Sequence, residues 1–220
     1  MTSTPGSAGP MAAVTPPPSE RPARVKRFSR AERWVHRTTA GLMLLCVATA
    51  AALYVPQIAE LVGRRYLVVT VHEWSGILLP VPFLLGLASP AFRADLRRLN
   101  RFGPHDRTWL RAARRRDRRP SSRPAGKFNA GQKVYAAWIA GAVLVMLATG
   151  LLMWFSGLLP VISRTSAIFV HDVTALAISL VVFGHIRLAY RDSQARRGMR
   201  TGFVELAWAK REHSKWVQGD

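Results

Sequence analysis

The sequence predicts an all-α membrane protein, a four-transmembrane-helix bundle, on three observations. Four apolar runs each approach the roughly 20 residues that a bilayer-crossing helix needs. The segments between them hold nearly all the charge. With the runs taken as consecutive spans, 29 of the 32 Lys and Arg residues fall on one side of the membrane and 3 on the other. A hydrophobic content of 49% beside a net charge of +20 suits no ordinary soluble domain, and it makes sense once apolar and basic residues are segregated along the chain.

Residues 1–27 form a Pro/Ser-rich tail containing "TPPPSERP". It cannot bury a core, and it is expected to be disordered. It is not a signal peptide, because no basic residue precedes an apolar run and prolines interrupt it. Residues 28–192 make the membrane domain, with spans at about 30–55, 67–92, 134–159 and 166–190. "SRAE" at Ser29 to Glu32 reads as a capping box that starts the first helix. A basic loop, 93–133, joins spans two and three, and residues 193–220 form a C-terminal segment. The excess of Lys and Arg places both termini and the long loop in the cytoplasm, in a multi-pass membrane protein. Contact with anionic membrane lipid can add to that role. Topology explains the charge better than nucleic acid does, so no nucleic-acid partner is expected.

A single cysteine, Cys46, excludes an internal disulfide, a four-thiolate iron–sulfur cluster, a Cys-x-x-Cys-His haem attachment and a cysteine-rich zinc site. Cys46 sits mid-span and reads as packing. The histidines say more. His36 lies near the inner end of span one and His72 near the outer end of span two; span four carries His171 near its outer end and His185 near its inner end. Fourteen residues separate His171 from His185. That is roughly 21 Å of helix, with the two within roughly 40° of one face. A histidine in hydrocarbon is costly without a partner. Span four thus offers one ligand in each leaflet, with a partner on span one or span two. The layout suits two haems b stacked across the membrane, each iron held by two histidines, an arrangement that favours electron transfer over oxygen chemistry. The residues four positions on, Ala40, Gly76, Ala175 and Ala189, are all small and leave room for a flat macrocycle. A competing reading is a haem-free membrane anchor whose histidines make helix–helix hydrogen bonds.

Other polar residues have plainer readings. His105 and His213 fall in basic segments and read as solvated surface. Glu73 and Asp172 adjoin the outer histidines and are expected to hydrogen-bond protein or partner groups near the membrane surface, with proton movement the weaker alternative. Arg33, Arg37 and Arg187 on the inner side, and Arg164 on the outer, are either propionate partners or ordinary flanking charge.

"GKFNAGQK" at Gly126 to Lys133, together with His36, "VHEWSG", the His171/His185 pair and the closing "WAKREHSKW", resembles the gamma subunit of membrane-bound respiratory formate dehydrogenases. These are di-haem cytochromes b within the broader bacterial cytochrome b561-like family. The histidine layout alone is shared with the cytochromes b of hydrogenases and thiosulfate reductases. The resemblance runs from about Phe28 to Trp216. It implies His36 with His185 at an inner haem and His72 with His171 at an outer one. It also implies a menaquinone site built from Asn129, Gly131 and Gln132 beside His185. An iron–sulfur subunit and a molybdenum or tungsten catalytic subunit are the implied partners. Electrons from that extracytoplasmic formate dehydrogenase module would then pass through the two haems to menaquinone, and the chain itself would not act on formate. A hydrogenase or another molybdoenzyme is the alternative donor. The sequence departs from the family in Glu73, in the Arg-rich loop and in the added tail.

Overall fold

The computed structural model describes residues 22–155 and 161–218, with the side chains of 161–163 outside the description. The proposed disorder of the tail falls mostly on residues 1–21, which lie outside the described residues, as does the segment 156–160 at the end of the expected third span.

Helices here begin where a side chain can satisfy the first amides. A short strand, β1 (Arg24–Lys26), leads to α1 (Arg30–Tyr54). The Ser29 hydroxyl accepts from the Glu32 amide at 3.2 Å, and the Ser29 amide donates to the Glu32 carboxylate. This is the capping box that "SRAE" announces. A short helix, α2 (Pro56–Val62), turns the chain and closes at Gly63. The second apolar stretch is divided into α3 (Arg65–Leu78) and α4 (Val81–Gly86). Pro80 and Pro82 lack the amide hydrogens a continuous helix would use. This stretch ends at Gly86 rather than near residue 92, because Ser89 caps a new helix, α5 (Pro90–Leu99), with Pro90 at its first position.

Beyond α6 (Pro104–Arg114), Asn129 and Gln132 form a second capping box that starts α7 (Ala130–Trp154) four residues earlier than hydropathy suggests. The long α8 (Val161–Arg191) follows, then α9 (Ser193–Thr201), β2 (Phe203–Glu205), α10 (Leu206–Glu212) and α11 (Ser214–Val217).

Four helical stretches among the described residues are long and apolar enough to cross a membrane: Arg30–Tyr54, Arg65–Gly86, Ala130–Trp154 and Arg164–Arg191. α1 packs chiefly on α3 and α7 on α8, with α3 also against α7. Leu144, Leu176, Leu180 and Phe183 are each about two-thirds exposed. Such outward apolar faces are a liability in water and normal against lipid tails. A buried layer of Met43, Leu79, Ala142 and Ile178 fills the centre of the bundle.

The basic end of the bundle carries a small folded cap. β1 pairs antiparallel with β2, Val25 opposite Val204, and Val204, Trp208 and Ala209 form a second buried cluster. Order therefore begins before residue 27, contrary to the expected tail boundary. The β1–β2 ladder, and the Arg27 and Phe28 amides donating to the Gly202 carbonyl at 2.8 and 3.1 Å, account for it. Gly202 has φ +91°, and an added Cβ would sit 2.7 Å from the Phe28 carbonyl oxygen, so only glycine fits this crossing.

Buried ion pairs fasten the middle loop to the bundle. Lys127 Nζ bonds Glu32 on α1 at 3.0 Å and also Asp95 on α5. Lys133 Nζ meets Asp106 Oδ2 at 2.7 Å and the Arg101 carbonyl at 2.9 Å. Burial pushes the Asp95 carboxyl up to about 6, its hydrogen bond with Glu32 adding and Lys127 opposing. Asp106 is fully buried, and removing one member of a buried pair strands the other. Lys133→Met is therefore expected to cost about 3–5 kcal/mol, with much of the loss recovered in Lys133→Met/Asp106→Asn. Denaturant unfolding in detergent measures both.

Candidate functional site: two histidine pairs

Each of the four span histidines meets another. The His36 ring on α1 and the His185 ring on α8 have centroids 6.3 Å apart and planes at 49°. The His72 ring on α3 and the His171 ring on α8 are also 6.3 Å apart, at 69°. Met43 and Ile178 of the buried central layer fall between the two pairs along α1 and α8. The pairs thus occupy opposite halves of the bundle with packed hydrocarbon between them.

What such a pair can hold follows from counting donors. Among the described residues, no three His, Cys, Asp or Glu side chains gather closely enough to bind a bare metal ion. Two imidazoles facing each other suit a metal that brings its own equatorial ligands. At metal–nitrogen distances of about 2.0–2.1 Å, opposed nitrogens stand about 4 Å apart, with the ring centres further out. The observed centroid separations accord with that. Gly76, one turn beyond His72, is half-buried, yet an added Cβ would meet nothing within 4 Å. There is open space beside His72 on its own helix.

The outer pair carries a hydrogen-bonded frame that the sequence reading missed. Thr49 Oγ1 lies 2.8 Å from His72 Nδ1 and donates back to the Leu45 carbonyl, also at 2.8 Å. Thr149 repeats the pattern on α7, 2.9 Å from His171 Nδ1 and 2.7 Å from the Val145 carbonyl. With each hydroxyl proton spent on its own helix, the threonine oxygen accepts from Nδ1–H. That fixes the tautomer and leaves Nε2 free to ligate. Threonines in apolar runs ordinarily bond their own backbone, so nothing in the sequence marks these two. The inner pair is framed differently: Tyr135 of α7 stacks on His185 with centroids 4.8 Å apart and planes at 14°.

The remaining candidates divide. Asp172 accepts from the Tyr54 hydroxyl at 2.6 Å. Cys46 Sγ lies 3.2 Å from Ser75 Oγ, joining α1 to α3. Arg33 and Arg37 donate to the Arg200 carbonyl at 2.7 and 2.9 Å, at the C-terminal end of α9. Asn129 Oδ1 accepts from the Gln132 amide at 2.9 Å, and Gln132 Oε1 from the Asn129 amide at 3.0 Å, so both acceptors serve the start of α7. Gly131 lets Trp109 lie across that start, since a Cβ there would meet the indole at 2.8 Å.

His213 corrects the expectation of a solvated side chain. It is 3% exposed, with Nδ1 2.7 Å from the Gly126 carbonyl and Nε2 3.1 Å from Arg27. Arg27 in turn donates to the Lys127 carbonyl at 2.9 Å. A basic local sequence suggested surface, but the tertiary fold brings Trp208 and Trp216 over the ring. The C-terminal segment thereby clasps the stretch leading to Asn129.

A bundle of four membrane helices that brings histidines together in pairs at two depths is the arrangement of the membrane cytochromes b. The chain belongs to the prokaryotic cytochrome b561 family, whose model matches residues 27–202. It is an integral membrane protein that binds haem b and serves electron transfer. It is 26% identical over 199 residues to the cytochrome b556 subunit of formate dehydrogenase from Haemophilus influenzae, covering 83% of this chain and 81% of that protein. Against the cytochrome b556(fdo) subunit of formate dehydrogenase from Escherichia coli K12 the identity is 25% over 201 residues, 88% and 92% of the two chains. The nitrate-inducible cytochrome b556(Fdn) subunit of the same organism is 29% identical over 96 residues, 42% of this chain and 44% of that protein.

Burial, and then the Arg27 charge, hold the His213 imidazole down at about 3. An unfolded histidine titrates near 6.5. Between those values the unfolded chain binds the extra proton, so this residue's contribution to stability is complete above about pH 6.5 and is lost as pH falls toward 3. The protection of the C-terminal amides, as exchange rate relative to the intrinsic rate at each pH, is expected to fall as pH drops across that window, and His213→Gln to flatten the dependence.

Proposed function

We propose that this chain is the membrane electron-transfer subunit of a formate dehydrogenase complex, linking an extracytoplasmic catalytic and iron–sulfur module to menaquinone on the basic side of the membrane. The observation that carries the reading is the pairing of His36 with His185 and of His72 with His171, one pair in each half of the bundle. Each pair would hold one haem b, two per chain in all. Haem, when bound, supplies reversible one-electron chemistry.

The chain's own residues do the rest. The four imidazoles hold the groups in place, with Thr49 and Thr149 orienting the outer pair and Tyr135 bracing the inner. The buried apolar layer keeps water from the space between. The side-chain NH2 groups of Asn129 and Gln132, whose oxygens serve the capping box, are the donors proposed for a quinone carbonyl, and Gly131 lets Trp109 pack beside them. The basic segments face the cytoplasm, with both termini there, in a bacterial cytoplasmic membrane. Formate-dehydrogenase cytochrome subunits among the relatives, and the Gly126–Lys133 segment, support the choice of donor.

A pyridine haemochrome assay on purified protein is expected to give two haems b per chain. His72→Ala or His171→Ala should remove one and leave the other, and His36→Ala or His185→Ala should do the converse. One haem in the unaltered chain overturns the assignment. Thr149→Val should keep both haems and weaken retention of the outer one roughly ten- to a hundred-fold, measured by transfer to an excess of apo-myoglobin.

A further inference from the structure

The basic end of the bundle holds a buried group of charges that electron transfer leaves without a task. Lys127 Nζ bonds Glu32 Oε1 at 3.0 Å and also bonds Asp95 Oδ2, and all three side chains are less than a tenth exposed. Glu32 and Asp95 hydrogen-bond each other as well, carboxyl to carboxyl. Two ionised carboxylates only accept, and they repel at such a contact, so the bond forms with a proton between them. The geometry itself calls for that proton.

The other charges facing Asp95 leave the need in place. Arg98, on the same helix, bonds Asp95 Oδ1 at 2.8 Å but is about half exposed, and solvent screens it. Arg27 acts on Asp95 only through space. Lys133, at the start of α7, is bonded to Asp106 and to the Arg101 carbonyl. Burial, and then Glu32, hold the Asp95 carboxyl up at about 6, where a modest change in nearby charge tips it near neutral pH.

The trio also stands close to the inner histidine pair. Glu32 precedes His36 by four residues on α1, about 6 Å along the axis and on nearly the same face. That spacing lies inside the roughly 8 Å screening length of physiological salt. Linkage is reciprocal: if an added electron raises the proton affinity of the trio, a bound proton raises the electron affinity of the inner level equally.

We propose that Asp95, Glu32 and Lys127 form a proton-holding site coupled to the His36/His185 level, taking up one proton from the basic side of the membrane when an electron arrives there. This rests on haem occupancy of that pair. The electron comes by way of the outer pair from a reduced iron–sulfur donor. The proton comes from water, the one bond formed is an O–H within the Asp95–Glu32 pair, and the two carboxyls titrate as a unit. The proton is then held two residues along the chain from Asn129, at Lys127.

The test uses the full-length haem-loaded chain in neutral detergent. Haem is counted first, and absence of haem at His36/His185 removes both this proposal and the reading beneath it. Optical redox titrations then follow each haem between about pH 5 and pH 8, with His72→Ala identifying the inner one. The inner midpoint potential is expected to fall as pH rises above about 6, and the outer to stay level. Asp95→Asn should abolish that dependence with haem content unchanged. Glu32→Gln, which keeps the capping box, should lessen it and serves as the second variant should Asp95→Asn fail to fold. Redox-difference infrared spectra should show a protonated-carboxyl band that grows on reduction and is missing from Asp95→Asn. With both haems present, an inner potential indifferent to pH, or a dependence that survives in Asp95→Asn, overturns the proposal and leaves the electron-transfer reading standing.

Discussion

An imidazole placed in hydrocarbon must find a partner, and a helix that carries two of them must find two. Much of this bundle follows from that requirement on α8. Because His171 and His185 are separated by four helical turns on nearly one face, α8 demands a partner helix at each of two depths. α1 and α3 meet the demand at opposite ends, which fixes how the first two spans sit against the fourth. α7 contributes no histidine of its own, yet it supports both levels, through Thr149 at one and Tyr135 at the other. With the polar chemistry confined to two levels, the centre can be ordinary packing of Met43, Leu79, Ala142 and Ile178. That layer is what keeps the two levels separate.

The charge of the chain serves two ends. Most of the arginines are exposed and, in the proposed orientation, act through their sum as a topology signal. A minority of the basic residues are structural. Lys127 and Lys133 are buried against carboxylates, and Arg27 lies among Phe28, Trp208 and Trp216 at 4.9 to 5.8 Å from the ring centres. These three cations tie the first residues of α1, the middle loop and the C-terminal segment into one cap. The segment running from Gly126 to Lys133 is held at both ends by them, which gives the start of α7 a rigid mount beneath the inner histidine pair.

Features governed by local rules were legible in the sequence: the Ser29 capping box, the four apolar stretches, and the histidines at matched depths. What escaped was set by contacts distant along the chain. His213 and Arg27 are 186 residues apart, and no window on either shows that two indoles will cover the ring. The β1–β2 ladder joins Arg24 to Glu205, and a three-residue strand has no periodicity to read. Thr49 and Thr149 each look like a threonine bonding back to its own helix, which they do, and the second bond to a histidine depends on helix packing. The end of the second span was misread because hydropathy continues through "PVPFLLGLASPAF" while the backbone obeys its prolines and Ser89. The proposed haem ligands rest on the pattern of pairs together with the family, and the proposed quinone residues rest on the resemblance alone.

The same placement of charge bears on the direction in which an electron moves most easily. In the proposed orientation an electron travelling inward opposes the membrane potential, at about 2.3 kcal/mol per 100 mV for a full crossing. His72 and His171 are each followed by a carboxylate, Glu73 and Asp172, whereas Arg33 and Arg37 flank His36 and Arg187 follows His185. A negative charge is repelled at the first level and stabilised at the second. Exposed charges beyond a Debye length of about 8 Å are screened by salt, so the distant arginines of the loop contribute little to this gradient. The groups that matter are those next to the ligands, and Arg33 and Arg37 are held by bonds to the end of α9. The cap therefore does more than close the bundle. It fixes two cations beside the His36/His185 pair, which in the proposed orientation would favour an electron arriving there against the membrane potential.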